Sequence, residues 1–279
     1  MATEYIVDSD DLTSIANAIR AKSGKTGQLI FPSGFISDIN SFQIAPEKYI
    51  TETYDETTGK MVSAELHWYT NVPSMMFTHQ TSLAHVSLPN EITSIGDSAF
   101  YSCEALALTS LPSGITSIDD GAFYGCKALA LTSLPSGITN IKGSVFGTCT
   151  SLALTELPSG VTIINQYAFY NCTSLALTSL PSGLTCVDTN AFEGCTSLAL
   201  TSIPSKLTTI NGSAFKNCTG LTSITFEGPV GSVSRHIAQN VFQGCTNLTS
   251  IKVPWAEGAV LGAPWGATNA TITYNYTGN

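Results

Sequence analysis

The stretch "CKALALTSLPSGITNIKGSVFGTC", Cys126 to Cys149, decides the architecture. The segments on either side of it, beginning with Cys103 to Cys126, spell nearly the same sentence. Working outward, Phe recurs at Phe77, Phe100, Phe123, Phe146, Phe169, Phe192 and Phe215, each 23 residues from the last, and Phe242 follows after 27. Three residues beyond each Phe from Phe100 onward stands a cysteine: Cys103, Cys126, Cys149, Cys172, Cys195, Cys218 and Cys245; the first copy has Gln80 there. Pro89, Pro112, Pro135, Pro158, Pro181 and Pro204 keep the same period. Such a period belongs to solenoids whose every coil holds a strand and a helical or 3₁₀ turn, so an α/β solenoid is expected. One coil cannot bury its own apolar face, and stability must come from stacking. In one copy the apolar slots are Ile115, Ile118, Ala122, Phe123, Cys126, Leu129, Leu131 and Leu134, and other copies keep them with swaps such as Val145 for Ala. The repeated Pro removes a donor and ends strand pairing, and the Ser-Gly after it suits a turn.

Two kinds of copy exist. The regular one places apolar residues at Leu83, Val86 and Leu88; five variant copies place them as at Leu106, Leu108 and Leu111, with Thr109 in the slot of Val86. Side chains alternate along a strand, so two readings follow. In one, the register is kept, the threonines point inward, and the five added leucines form an exposed stripe. In the other, a local bulge turns both leucines inward. A buried hydroxyl without a partner costs about 1–3 kcal/mol, which favours the second. The candidate binding surface is then a concave face of two rows: Thr109, Ser110, Thr132, Ser133, Thr155, Glu156, Thr178, Ser179, Thr201 and Ser202.

Charged residues make up only 11% of the 279 residues, and the net charge is −9. With 11 scattered Lys and Arg, the chain lacks the basic patch that nucleic-acid binding requires. No run of 18 apolar residues suggests a membrane span. The N-terminus lacks the pattern of a secretory signal, so the protein is expected to stay where it is made or to leave by another route.

The stacked cysteines point the same way, whereas a disulfide needs a twisted approach; they read as buried thiols acting as small hydrophobes. Cys186 lies outside the column. No C-x-x-C occurs, and neither a metal nor any other cofactor is expected. A Cys-His nucleophile pair using His85 or His236 is disfavoured, because a reactive thiolate needs an accessible, electropositive niche. No enzyme motif is present, and the protein reads as non-enzymatic. Asn171, Asn217 and Asn247 begin N-x-T triplets, read as by-products of composition. Tyr101, Tyr124 and Tyr170 form an aromatic column; packing on the next coil is favoured over stacking against a sugar.

Four regions are expected: a two-helix anchoring or oligomerisation module at 1–42, a linker and hairpin at 43–71, about eight coils over 72–253, and a cap at 254–279. In the first, Leu12, Ile15, Ala16 and Ile19 share a helical face. The hairpin turns near Gly59. In the cap, "TITYNY" (Thr271–Tyr276) alternates as an edge strand. Trp255 and Trp265 plug the last coil or, on a sharper reading, form a ligand-binding tip.

The pattern in "LAHVSLPNEITSIGDSAFYSC" (Leu83–Cys103) and in "LTSIKVP" (Leu248–Pro254) resembles the BspA-like leucine-rich repeat family. The resemblance implies a curved stack of parallel strands and a role in interaction, since members are mostly bacterial and protist surface or secreted proteins. The head, "DLTSIANAIRAKSGKTGQLIFPSGFISDI", is similar to modules that open bacteriophage tail-fibre and other tail proteins, and "PWAEG…APWGATNATITYNY" to the ends of phage-encoded leucine-rich proteins. Those likenesses imply a virion adhesin: residues 1–42 bind other tail or baseplate proteins, the chain forms a homo-oligomer (a trimer), and a host-surface glycan or protein is the partner. The alternative is a bacterial cell-surface or extracellular interaction protein.

Overall fold

A computed structural model describes residues 49–229 and 236–277. The expected helical module at 1–42 therefore lies outside the described residues, as does most of the four-residue insertion before Phe242. The compact unit runs from Glu47 to Asn279 and is a leucine-rich repeat β-solenoid of about nine coils.

The chain enters through an antiparallel hairpin, β1 (Tyr49–Tyr54) with β2 (Met61–His67). Asp55 shapes its loop: one carboxylate oxygen accepts the backbone N–H and hydroxyl groups of Thr57 and Thr58. These bonds, led by the Thr58 hydroxyl, hold the carboxyl down at about 2. β2 then pairs in parallel with β4 (His85–Ser87) and starts the coils.

Eight coils have a short strand at the Ile/Val slot: β3 (Asn71–Val72), β5 (Ser94–Ile95), β6 (Ser117–Ile118), β7 (Asn140–Ile141), β8 (Ile163–Ile164), β9 (Cys186–Val187), β11 (Thr209–Ile210) and β13 (His236–Ile237). They form two parallel ladders, β3-β5-β6 and β7-β8-β9-β11-β13. The leucine side is less regular. Strands occur there in β4, then in β10 (Ser202–Ile203), β12 (Ser223–Phe226), β14 (Ser250–Lys252) and β15 (Thr271–Thr273), the last four forming one parallel sheet. Between β4 and β10, four variant coils have no leucine-side strand. This corrects, for those coils, the implied stack of parallel strands on the leucine side.

The expected helical or 3₁₀ turn is also corrected: the described residues contain strands and turns but no helix. In the seven coils from Phe77 to Phe215, the residues two before and two after the Phe adopt left-handed backbone, as at Ser144 (φ 53°) and Thr148 (φ 58°) around Phe146. A right-handed helix cannot pass through them. Ser144, Phe146 and Thr148 instead donate their N–H groups to the carbonyls of Gln166, Ala168 and Tyr170 in the next coil. The turn thereby becomes a hydrogen-bonded rung between coils.

The core is a column. Eight phenylalanines from Phe77 to Phe242 stack ring on ring, with neighbouring centroids 5.2–5.8 Å apart and planes within 15°. Beside them each ladder thiol donates to the carbonyl of the preceding coil's Phe at 2.9–3.0 Å. No cysteine is in a disulfide. At the far end Trp255 and Trp265 are 1% and 0% exposed and pack edge-on against each other, 6.4 Å apart, and against Phe226. Phe242 donates its N–H to the Trp265 carbonyl at 2.9 Å, where a further coil would otherwise accept it.

Candidate binding surface

The variant coils settle the leucine question. Leu131, Leu154 and Leu177 are 0% exposed, as are Leu129, Leu152 and Leu175 two residues before each. Thr132, Ser133, Thr155, Glu156, Thr178 and Ser179 are exposed. In each of these coils one rung remains on this side: the Ala N–H between the two leucines donates to the neighbouring coil's inward Leu, as from Ala153 to Leu131 and from Ala176 to Leu154. After that rung the backbone bulges, so the next two side chains leave the core together. Thr109, Ser110 and Thr201 are likewise exposed and Ser202 half-buried, its hydroxyl donating to Glu227 at 2.6 Å. The ten positions thus stand in two rows, one pair per coil, at the coil spacing the Phe column sets. Glu156 is their one ionisable side chain.

The inward shift saves the hydroxyls from desolvation and keeps three apolar side chains per coil. Its cost is the strand ladder, which the regular coils retain.

Trp255 and Trp265 plug the last coil. Being buried, they offer no ring surface, which corrects the reading of a Trp-based tip.

The tyrosine column packs on itself. Tyr101 and Tyr124 stack at 5.0 Å and 12°, and His79 meets Tyr101 edge-on. The next coil carries Gly147, over which the Tyr124 ring leans; Tyr170 lies beyond and contacts Tyr167 edge-on. Burial, then the neighbouring Tyr101 and Tyr170, raises the Tyr124 hydroxyl. The stacked faces are turned toward one another, leaving edges and hydroxyls outward.

The seven ladder cysteines are buried, and Cys186 is half-buried. Burial pushes Cys103 up to about 12 and Cys245 up to about 11, and raises the others of the ladder as well. Each ladder thiol is bonded to a carbonyl, not to an imidazole. His85 and His236 are exposed on their strands. Among the described residues no three metal-binding side chains converge, and no helix is long and apolar enough to cross a membrane. Asn171 and Asn217 hold left-handed turn positions, and Asn247 donates to the Thr219 carbonyl. These side chains serve the stack.

Sequence reasoning missed two features. One is the pair of left-handed positions per coil, whose signal was the Ser, Asn and Gly enrichment in the columns flanking each Phe. The other is a cavity of about 320 Å³ where the regular coil meets the first variant coil.

Stacked coils with an apolar interior and side-chain rows on the outer wall define a leucine-rich repeat protein. The chain matches the family of BspA type leucine rich repeat regions over residues 70–198 and 151–257, in six copies. It belongs to that family. Among solved structures, a Treponema pallidum leucine rich repeat protein is 25% identical over 62% of this chain and 88% of its own, with a TM-score of 0.47. A leucine rich cell surface protein of Faecalibacterium prausnitzii is 20% identical over 83% of this chain and 96% of its own, also at 0.47. A leucine-rich repeat protein of Bacteroides ovatus is 19% identical over 83% of this chain and 77% of its own, at 0.42. No curated protein matches the chain.

Proposed function

We propose that this is a non-enzymatic binding protein of the bacterial surface or extracellular type, which recognises a glycan or protein on another cell through its outer wall. The observation carrying this is the inward turn of the variant leucines, which gives five consecutive coils ten outward positions, nine of them Ser or Thr. A rigid, charge-poor wall rich in hydroxyls suits neutral polar partners. It pre-positions many weak hydrogen-bonding groups at low entropic cost. Family membership supports the reading, since BspA-like proteins are mostly surface or secreted interaction proteins.

The test is binding of the full chain to bacterial and epithelial cells and to immobilised glycans. Exchanging Thr132, Thr155 and Thr178 together for lysine should lower binding at least tenfold and leave the melting temperature nearly unchanged. No binding to any of these surfaces would sink the proposal.

A second reading places the same solenoid on a phage tail as a trimeric adhesin. Its support is the likeness of residues 1–42 to tail-protein modules. Mass spectrometry of purified phage particles decides it: the chain is either a particle component or absent.

A further inference from the structure

We propose that the cavity at the step between the regular coil and the first variant coil is a pocket for an N-acetylated, uncharged hexose. This rests on the glycan-binding reading above and names a site and a ligand class for it.

The step is a packing mismatch. Within the run of variant coils, each inward leucine is covered by equivalents on both sides, and Leu131, Leu154 and Leu177 are fully buried. Leu108 holds the same place but is only half-buried. Leu111 is also half-buried, whereas Leu134, Leu157 and Leu180 are 7–9% exposed. The cause lies one coil earlier. There the inward residue is Val86 and its neighbour His85 points out, so the inward positions of the two coils are one residue out of line. Strand β4 pairs with β2 on one edge and with no strand on the other. The last rung at the step is Ala107 N–H to the Ala84 carbonyl at 3.0 Å, after Ala105 N–H to the Thr81 carbonyl at 3.3 Å. The coils separate beyond it, and the gap opens.

Its lining defines the ligand. Asn90, Ser110 and Ser113 contribute neutral polar groups to a lining that is mostly polar, Val86, Leu88, Leu108 and Leu111 leave a smaller apolar patch, and no ionisable side chain lines it. The volume, about 320 Å³, is at the small end of ligand sites, which combine apolar walls with a few polar anchors. A purely aliphatic group would leave the amide and hydroxyl unpaired. A carboxylated sugar would meet no cation. A plain hexose offers the apolar patch only its C–H face and no methyl group. An acetamido sugar satisfies both surfaces: its methyl meets the leucines, and its amide and ring hydroxyls meet Asn90 and Ser110.

Ligand-observed saturation-transfer NMR and calorimetric titration of the full chain test this with N-acetylglucosamine, N-acetylgalactosamine and glucose. The expected result is strongest saturation of the acetamido methyl, millimolar affinity for the N-acetyl sugars, and at least tenfold weaker binding of glucose. Ser110→Tyr fills the gap and should weaken binding at least tenfold. Ser136→Tyr, at an exposed turn position one coil further on and outside the two rows, should leave it within twofold. Asn90→Ala should weaken binding without added bulk. Equal binding of glucose, no saturation of either N-acetyl sugar, or equal effects of the two tyrosine variants would overturn the proposal. Cell binding by wild type and Ser110→Tyr separates this site from the wider function. Retention by the variant rejects the pocket alone, and no binding by wild type rejects the surface function itself.

Discussion

The thiol of Cys149 lies 3.0 Å from the carbonyl oxygen of Phe123, one coil nearer the N-terminus, and donates to it. The relationship recurs from Cys103 with Phe77 to Cys245 with Phe215. A group buried and bonded in its neutral form makes folding sensitive to alkali. Below pH 9, the ordinary value for these thiols, both folded and unfolded chains keep the protons, and the ladder's contribution is complete. Above it the unfolded chain releases protons that the folded chain retains, so stability falls as pH rises toward the folded values near 11 and 12. Each thiol contributes a slope of up to about 1.4 kcal/mol per pH unit. Urea unfolding at pH 8, 9 and 10 should show a midpoint that falls steeply over the last step. At pH 8 a thiol reagent should label half-buried Cys186 first and the ladder only on unfolding. A flat midpoint to pH 10 contradicts the buried ladder.

Leu154 and Thr155 test the bulge directly. Leu154→Asp places a carboxylate in a dry column and should cost more than about 4 kcal/mol. Thr155→Asp stays in water and should change stability by less than about 0.5 kcal/mol. Thermal denaturation followed by circular dichroism separates them. Reversed costs would restore the outward-leucine register.

Phe146 stacks between Phe123 at 5.8 Å and Phe169 at 5.6 Å. Phe146→Ala should cost about 3–5 kcal/mol. Because each coil leans only on its neighbours, the damage should be local. Limited proteolysis should cut the variant near residues 140–150 while fragments on either side persist longer.

Gly147 and Gly194 predict different outcomes for the same change. At Gly147 an alanine methyl would come within 2.7 Å of the Tyr124 ring, a side chain able to move. Gly147→Ala should cost less than about 1 kcal/mol and shift the aromatic NMR signals of Tyr101 and Tyr124. Gly194 has φ +77° and its added Cβ would collide with the Asn171 side chain. A left-handed backbone costs an alanine about 1–2 kcal/mol, so Gly194→Ala should lower stability by at least that amount. Equal effects in chemical denaturation would count against the turn geometry.

What the sequence determined by itself was the column. A fixed period gives every coil the same neighbours, so the slots of Phe146, Cys149 and Ile141 can be read as buried without knowing the path of the chain. The plug formed by Trp255 and Trp265 was legible for a similar reason: a stack of apolar rungs needs a cover. The side of the wall taken by Leu154 and Thr155 was narrowed by the desolvation of a hydroxyl but decided only by the fold. That choice turns on one residue of register, and register depends on which carbonyl of the next coil the Ala153 N–H finds. The left-handed turns at Ser144 and Thr148 were decided in the same way, because their backbone energy is repaid by rungs to residues 22 positions away in the chain. The gap beside Leu108 exists only where two kinds of coil meet, so it belongs to neither repeat and could be found only in three dimensions.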